Sequence, residues 1–259
     1  MKHGRRLPPV DRLQLEGVLL AGGLRALLLQ LAHPAVGHGV AEHSAFETDP
    51  LARLRSTLSY IYVVAAGEED LVRRVARTVG RAHRPVVSGA GAPVGYDARD
   101  PALQFWVAAT IHDTAVRIVE AVWGPLPLAL ADELLLRNGR LAVALGLPAE
   151  EWPGNRAAFD AAFATAAAGL RFDDVTLPVV RALLRGGTVP RWIRLVMPAY
   201  ARATLRTLPA LRPDIEPLLP PGPDLLPLAR RLAPAWRLLP PSLRLLPARR
   251  LLAAARRGS

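Results

Sequence analysis

Six histidines and no cysteine set the chemistry open to this chain of 259 residues. Disulfides, thiolate metal sites, iron–sulfur clusters and cysteine nucleophiles are excluded at once. His33, His38 and His43 are each five residues apart. On one helix that spacing spreads them around the axis, so they are not a ready-made metal face. No pair of histidines brackets a glutamate at the spacing of the helical zinc signature. Gly89, Gly91 and Gly95 approach a dinucleotide fingerprint, but the last interval is one residue too long and no strand precedes it. Ser88 lacks the flanking glycines of a nucleophile elbow. No pair of carboxylates stands out for acid–base work.

A bound iron porphyrin would need His, Met, Tyr or Lys as its axial ligand in such a chain. His83 is the best placed, at the end of a Val- and Arg-rich stretch and just before the Gly/Pro loop that begins at Pro85. Two readings stand side by side. The imidazole caps its own helix end, favoured by the dipole, or it projects into a gap between packed helices. Arg53 and Thr57, four apart, share one helix face. If that face is buried beside Leu51, Leu54, Leu58 and Ile61, the arginine needs an anionic partner; otherwise it is a surface residue beside Arg55.

These groups must be positioned by helices. Leu, Ala and Arg dominate while β-branched and aromatic residues are sparse, which favours helix over sheet. The pattern predicts helices over Glu16–Leu31, Pro50–Ala66, Glu68–His83, Asp100–Val122, Pro127–Leu145, Asn155–Leu170 and Pro190–Leu208, the last kinked at Pro198. Proline ends or opens most of them. The run from Ala35 to Asp49 reads as a Gly- and His-containing connection. After Leu208 prolines recur every few residues, so only short helices fit. The division expected is 1–208 as the catalytic body and 209–259 as a Pro/Arg-rich extension of short helices.

The net charge of +11 is concentrated near the C-terminus. From Thr188 onward thirteen arginines face only Asp214, Glu216 and Asp224. Solvated arginine is the usual reason for such a run. Attraction to an anionic membrane surface is the functional alternative; no nucleic-acid partner is expected. No uncharged stretch reaches the ~20 apolar residues of a membrane span, and the N-terminus lacks the apolar run of a signal peptide. The expected location is the cytoplasm, peripheral to a membrane where the basic tail docks on one.

The run Leu31-Ala-His-Pro-Ala-Val-Gly-His-Gly-Val-Ala-Glu-His-Ser44, followed by Asp49-Pro50, Arg53 and Thr57, resembles the signature of the MpaB-like oxygenase family. That family shares its catalytic domain with the bacterial rubber oxygenases. The likeness continues through Val79-Gly-Arg-Ala-His83-Arg-Pro, Tyr96-Asp-Ala-Arg-Asp100-Pro and Leu103-Gln-Phe-Trp106-Val-Ala-Ala-Thr110. It implies an all-α, globin-like multi-helix bundle enclosing haem b, with the C-terminal extension as an appendage. It implies His83 as the proximal iron ligand, with Arg53 and Thr57 close to the haem. Two positions depart from it. Ser56 stands where rubber oxygenases carry a lysine, and Ala108 where relatives often have histidine; His112 lies one turn later on that face.

The expected function is a haem-dependent oxygenase, acting with dioxygen or peroxide and an electron donor on a small apolar, isoprenoid or lipid-like substrate. Glu42, His43 and Thr57 are the candidate polar groups on the open face of the iron. The competing class is a non-catalytic haem or lipid binder that docks on a membrane through its basic tail.

Overall fold

A computed structural model describes residues 9–43, 50–185, 190–219 and 222–257, without the side chains at 50–53, 192, 193 and 209. Among the described residues fourteen α-helices follow one another: α1 Val10–Leu13, α2 Gly23–Ala32, α3 Pro34–His43, α4 Pro50–Ala66, α5 Glu69–His83, α6 Pro101–Trp123, α7 Leu128–Val143, α8 Arg156–Ala167, α9 Thr176–Arg185, α10 Arg191–Leu205, α11 Arg212–Ile215, α12 Leu226–Leu232, α13 Pro241–Arg244 and α14 Leu246–Arg257. Among the described residues the only β pairing is an isolated bridge between Val87 and Asp97.

The long helices follow their local signals. Asp100 caps α6 by accepting from the Ala102 amide, with Pro101 in the first turn, and Asn155 caps α8 through Ala158. Gly67 ends α4, and Glu69 and Asp70 open α5 where the helix dipole favours anions. Proline at position 198 stays inside α10.

Three elements differ from expectation. The helix expected from Glu16 begins as a 3₁₀ turn over Gly17–Gly22, and α2 starts only at Gly23. The stretch expected as a connection after His33 is helix as far as His43. Tertiary contact overrides the poor propensity of its glycines. A Cβ at Gly37 would stand 2.3 Å from the Leu31 carbonyl oxygen, and one at Gly39 would meet the Tyr96 ring at 3.3 Å. Both glycines therefore permit close approach rather than flexibility. Helix α9 was absent from the periodicity reading. Asp173 starts it by accepting from the Val175 and Thr176 amides.

Helix α6 is the spine, packing on α2, α7 and α8. On one side Tyr62, Val63, Leu71, Val72, Ala109 and Leu135 join α4, α5, α6 and α7 in one buried cluster. On the other, Leu28, Leu31, Trp106, Val180, Ala201 and Ile215 join α2, α6, α9, α10 and α11. Helix α14 enters the first cluster through Ala248 and Leu252 and lies along α4. The chain after Leu208 is thus divided: α11 and α14 are core elements, while α12 is almost wholly exposed. Among the described residues no single helix is long and apolar enough to cross a membrane.

Candidate functional site

Helices α4 and α5 form an antiparallel hairpin about Gly67. Tyr60, Val63 and Val64 of α4 pack with Leu71, Val72 and Ala76 of α5, and the contact continues out to Leu58 and Val79. At about 1.5 Å per residue the same register carries Thr57 and the Arg53 backbone towards the His83 end. There the packing stops. Leu54, Arg55, Ser56 and Thr57 are all exposed, Leu54 by 49%. Four consecutive exposed residues mean that this turn of α4 stands clear of the body on every side. The Arg53 side chain lies outside the described residues, as do Ser44 and Asp49 of the signature.

His83 is half-buried at the last position of α5. Its Nδ1 lies 3.5 Å from the side-chain nitrogen of Gln104, a buried residue in the first turns of α6. That amide also donates to the Ala98 carbonyl oxygen. The contact with His83 is at the limit of hydrogen bonding.

Between α5 and α6 the chain doubles back on itself. Ser88 and Tyr96 pair through backbone hydrogen bonds, as do Val86 and Ala98. This small hairpin presents Tyr96 to α3. The Tyr96 hydroxyl donates to Glu42 Oε2 at 2.7 Å, and His43 Nε2 lies 3.0 Å from the Tyr96 hydroxyl oxygen. Burial, followed by the hydrogen bond and the charge of Glu42, pushes the Tyr96 hydroxyl up to about 12. Tyr96 is therefore neutral at physiological pH. It links an imidazole and a carboxylate that both face solvent, an arrangement able to pass a proton along His43–Tyr96–Glu42. Sequence reasoning named Glu42 and His43 but missed Tyr96 and Gln104 as partners, although both lie within the family-like runs.

The other histidines divide by burial. His38 is buried, 2.7 Å from Asp173. Burial raises the Asp173 carboxyl, but its bonds to His38 and Thr176 outweigh that and hold it at about 2. His112 is buried too, with Nδ1 2.9 Å from the Asn138 amide and its ring edge-on to Phe159. Burial pushes it down to about 4, so it is a neutral core histidine and not a solvated one. His33 packs beside Trp106 with ring centroids 5.9 Å apart. His33 Nδ1 and Trp106 Nε1 are buried without a hydrogen-bond partner among the described residues.

Among the described residues no cluster of three His, Asp or Glu side chains is arranged to hold a metal ion. A site with a single imidazole suits an iron whose equatorial nitrogens come from a porphyrin, which asks the protein for axial ligation only. The uncovered turn of α4, with Leu54 among its exposed residues, offers an apolar and polar surface that a flat cofactor would cover.

The family profile described as "ER-bound oxygenase mpaB/B'/Rubber oxygenase, catalytic domain" matches residues 11–259. Two curated mycobacterial proteins are similar: "Uncharacterized protein Rv2237" of Mycobacterium tuberculosis and "Uncharacterized protein Mb2261" of Mycobacterium bovis. Each is 38% identical over 164 residues, a stretch covering 62% of this chain and 63% of the relative. The match thus spans less than two thirds of the length of those relatives. No solved structure matches the chain.

Proposed function

The chain belongs to the MpaB/rubber oxygenase catalytic-domain family, and on that premise we propose that it is a haem b-dependent oxygenase with His83 as the protein's ligand to the iron. The observation that carries this reading is the half-buried imidazole at the end of α5, on the side of the hairpin where α4 stands uncovered. Bound haem would supply an iron that takes dioxygen or peroxide, its reactivity tuned by the axial ligand and by pocket polarity.

The protein's own residues have separate tasks. A neutral histidine that ligates through Nε2 carries its proton on Nδ1 and donates it. Gln104 now offers its nitrogen towards Nδ1. With His83 on the iron, the Gln104 oxygen would be the group to accept that proton, the amide giving up its bond to the Ala98 carbonyl. Thr57 and Arg53 lie on α4 towards the same end; the arginine would hold an anionic group such as a propionate. His43, Tyr96 and Glu42 would move a proton at the edge of the site. Ser56 brings no lysine near the iron. The apolar side chains around α4 suit an isoprenoid or lipid-like substrate, a class suggested by family analogy.

The test is direct. Protein produced with an adequate haem supply should show an intense haem absorption band, and acidified organic solvent should extract haem b. Protein that stays colourless after haem supplementation would overturn the proposal. Haem-loaded protein that consumes no dioxygen or peroxide with any reductant and apolar alkene would leave a haem binder and sink the enzyme.

A further inference from the structure

Six of the eleven exposed leucines among the described residues lie in one stretch of chain. Between Gly222 and Leu243, Leu228 is 53% exposed, Leu232 58%, Leu238 85% and Leu243 54%, with Leu225 and Leu239 exposed as well. Leu228 and Leu232, four apart, lie on one face of α12, and Leu225 caps its start. Every residue of α12 except Leu226 is exposed. A surface so rich in large apolar side chains calls for a partner.

The charge beside these leucines has one sign. Arg230 and Arg231 are exposed on α12, and Arg237 follows half-buried. The only acidic residue between Gly222 and Arg257 is Asp224, and Arg206 holds it at 3.0 Å. The stretch is also fastened down. Trp236 donates to the buried Glu16 at 2.9 Å, and Arg244 approaches the same carboxylate at 3.1 Å. With Ala233, Trp236 packs on the cluster that holds Val119 and Trp123. The anchors point inward, so the leucines must point outward.

We propose that residues 222–243 form a docking surface for the anionic face of a lipid bilayer. The leucines enter the boundary between headgroups and acyl chains, while the arginines reach back to lipid phosphates. A bilayer fits better than a protein groove, because the leucines stand on separate short helices broken by prolines. It also fits better than a second copy, since a two-fold contact would bring Arg230 and Arg231 of both copies together. The surface does not depend on the haem reading.

Flotation with lipid vesicles tests the proposal. The full chain should float with vesicles of phosphatidylcholine containing about one third phosphatidylglycerol, bind weakly to pure phosphatidylcholine, and dissociate as salt is raised. Leu228→Ser/Leu232→Ser/Leu238→Ser should lower partitioning by about tenfold or more. Arg230→Glu/Arg231→Glu should lower it on anionic vesicles only. Leu136→Ser, at an equally exposed leucine on α7, should leave it unchanged; equal far-ultraviolet circular dichroism would show all variants folded. Failure of the unaltered chain to bind anionic vesicles overturns the proposal. So does binding that survives both sets of substitutions, or a concentration-dependent dimer that the leucine substitutions abolish.

Discussion

At the scale of single residues, the five described histidines have separable fates. If His83 ligates the iron as proposed, His83→Ala should remove most of the haem; the haem-to-protein absorbance ratio reads this. His112→Gln should leave haem content near normal, because that ring sits against Phe159 and Asn138. The same substitution has a second signature. His112 ordinarily titrates near 6.5, and in the folded chain near 4. Below pH 6.5 the unfolded chain takes up a proton that the folded chain refuses until about 4. The contribution is therefore intact above 6.5 and lost as pH falls through that window, by about 3 kcal/mol in total. Urea unfolding at pH 7 and pH 5 should show a smaller acid loss in His112→Gln than in the unaltered chain. Histidine identity was plain in the sequence, but burial was not. The spacing of His33, His38 and His43 looks the same whether a ring meets Asp173, Tyr96 or Trp106.

Among elements, the anchoring of the C-terminal stretch rests on one carboxylate. Glu16 is 1% exposed and holds Trp236 and Arg244 from more than 200 residues away. Breaking a buried ion pair from one side leaves the other charge stranded. Glu16→Ala should cost about 3–5 kcal/mol, and Glu16→Gln less, because its side-chain oxygen still accepts from the indole. Denaturant melts measure both. If Glu16→Ala unfolds at an unchanged midpoint, the clamp does not hold the stretch. Nothing local marks Glu16 as buried: its neighbours predicted a helix whose first turn an acid suits, and the structure has a 3₁₀ turn over Gly17–Gly22.

For the molecule as a whole, the division at Leu208 makes a sharp prediction. Proline density alone suggested that the chain beyond it is dispensable. However, Ala248 and Leu252 of α14 complete the cluster around α4 and α5, and Leu211, Ile215 and Leu219 complete the one around α2. Truncation after Leu208 should therefore abolish the cooperative thermal transition. Replacing Leu228, Leu232 and Leu238 by serine, which removes only the proposed docking surface, should leave that transition in place. A truncated chain that melts as sharply as the whole would show that α14 is an accessory after all.

The sequence by itself determined what acts within a few residues. Proline and Asx caps placed the start of α6 and α8, Pro85 closed α5 behind His83, and the arginine bias of the last quarter was a matter of counting. The family-like runs were equally legible because they are runs. Tertiary structure alone decided what depends on distant partners. Helix α3 forms because Gly37 and Gly39 let Leu31 and Tyr96 approach. Tyr96 joins His43 across 53 positions, and Trp236 reaches Glu16 across 220. The proline-rich tail splits into a core helix and an exposed leucine surface. The physical reason is that hydrophobic periodicity states which residues seek burial but not how much cover the fold has to give. In this chain the cover closes over α14 and leaves the leucines of α12 bare.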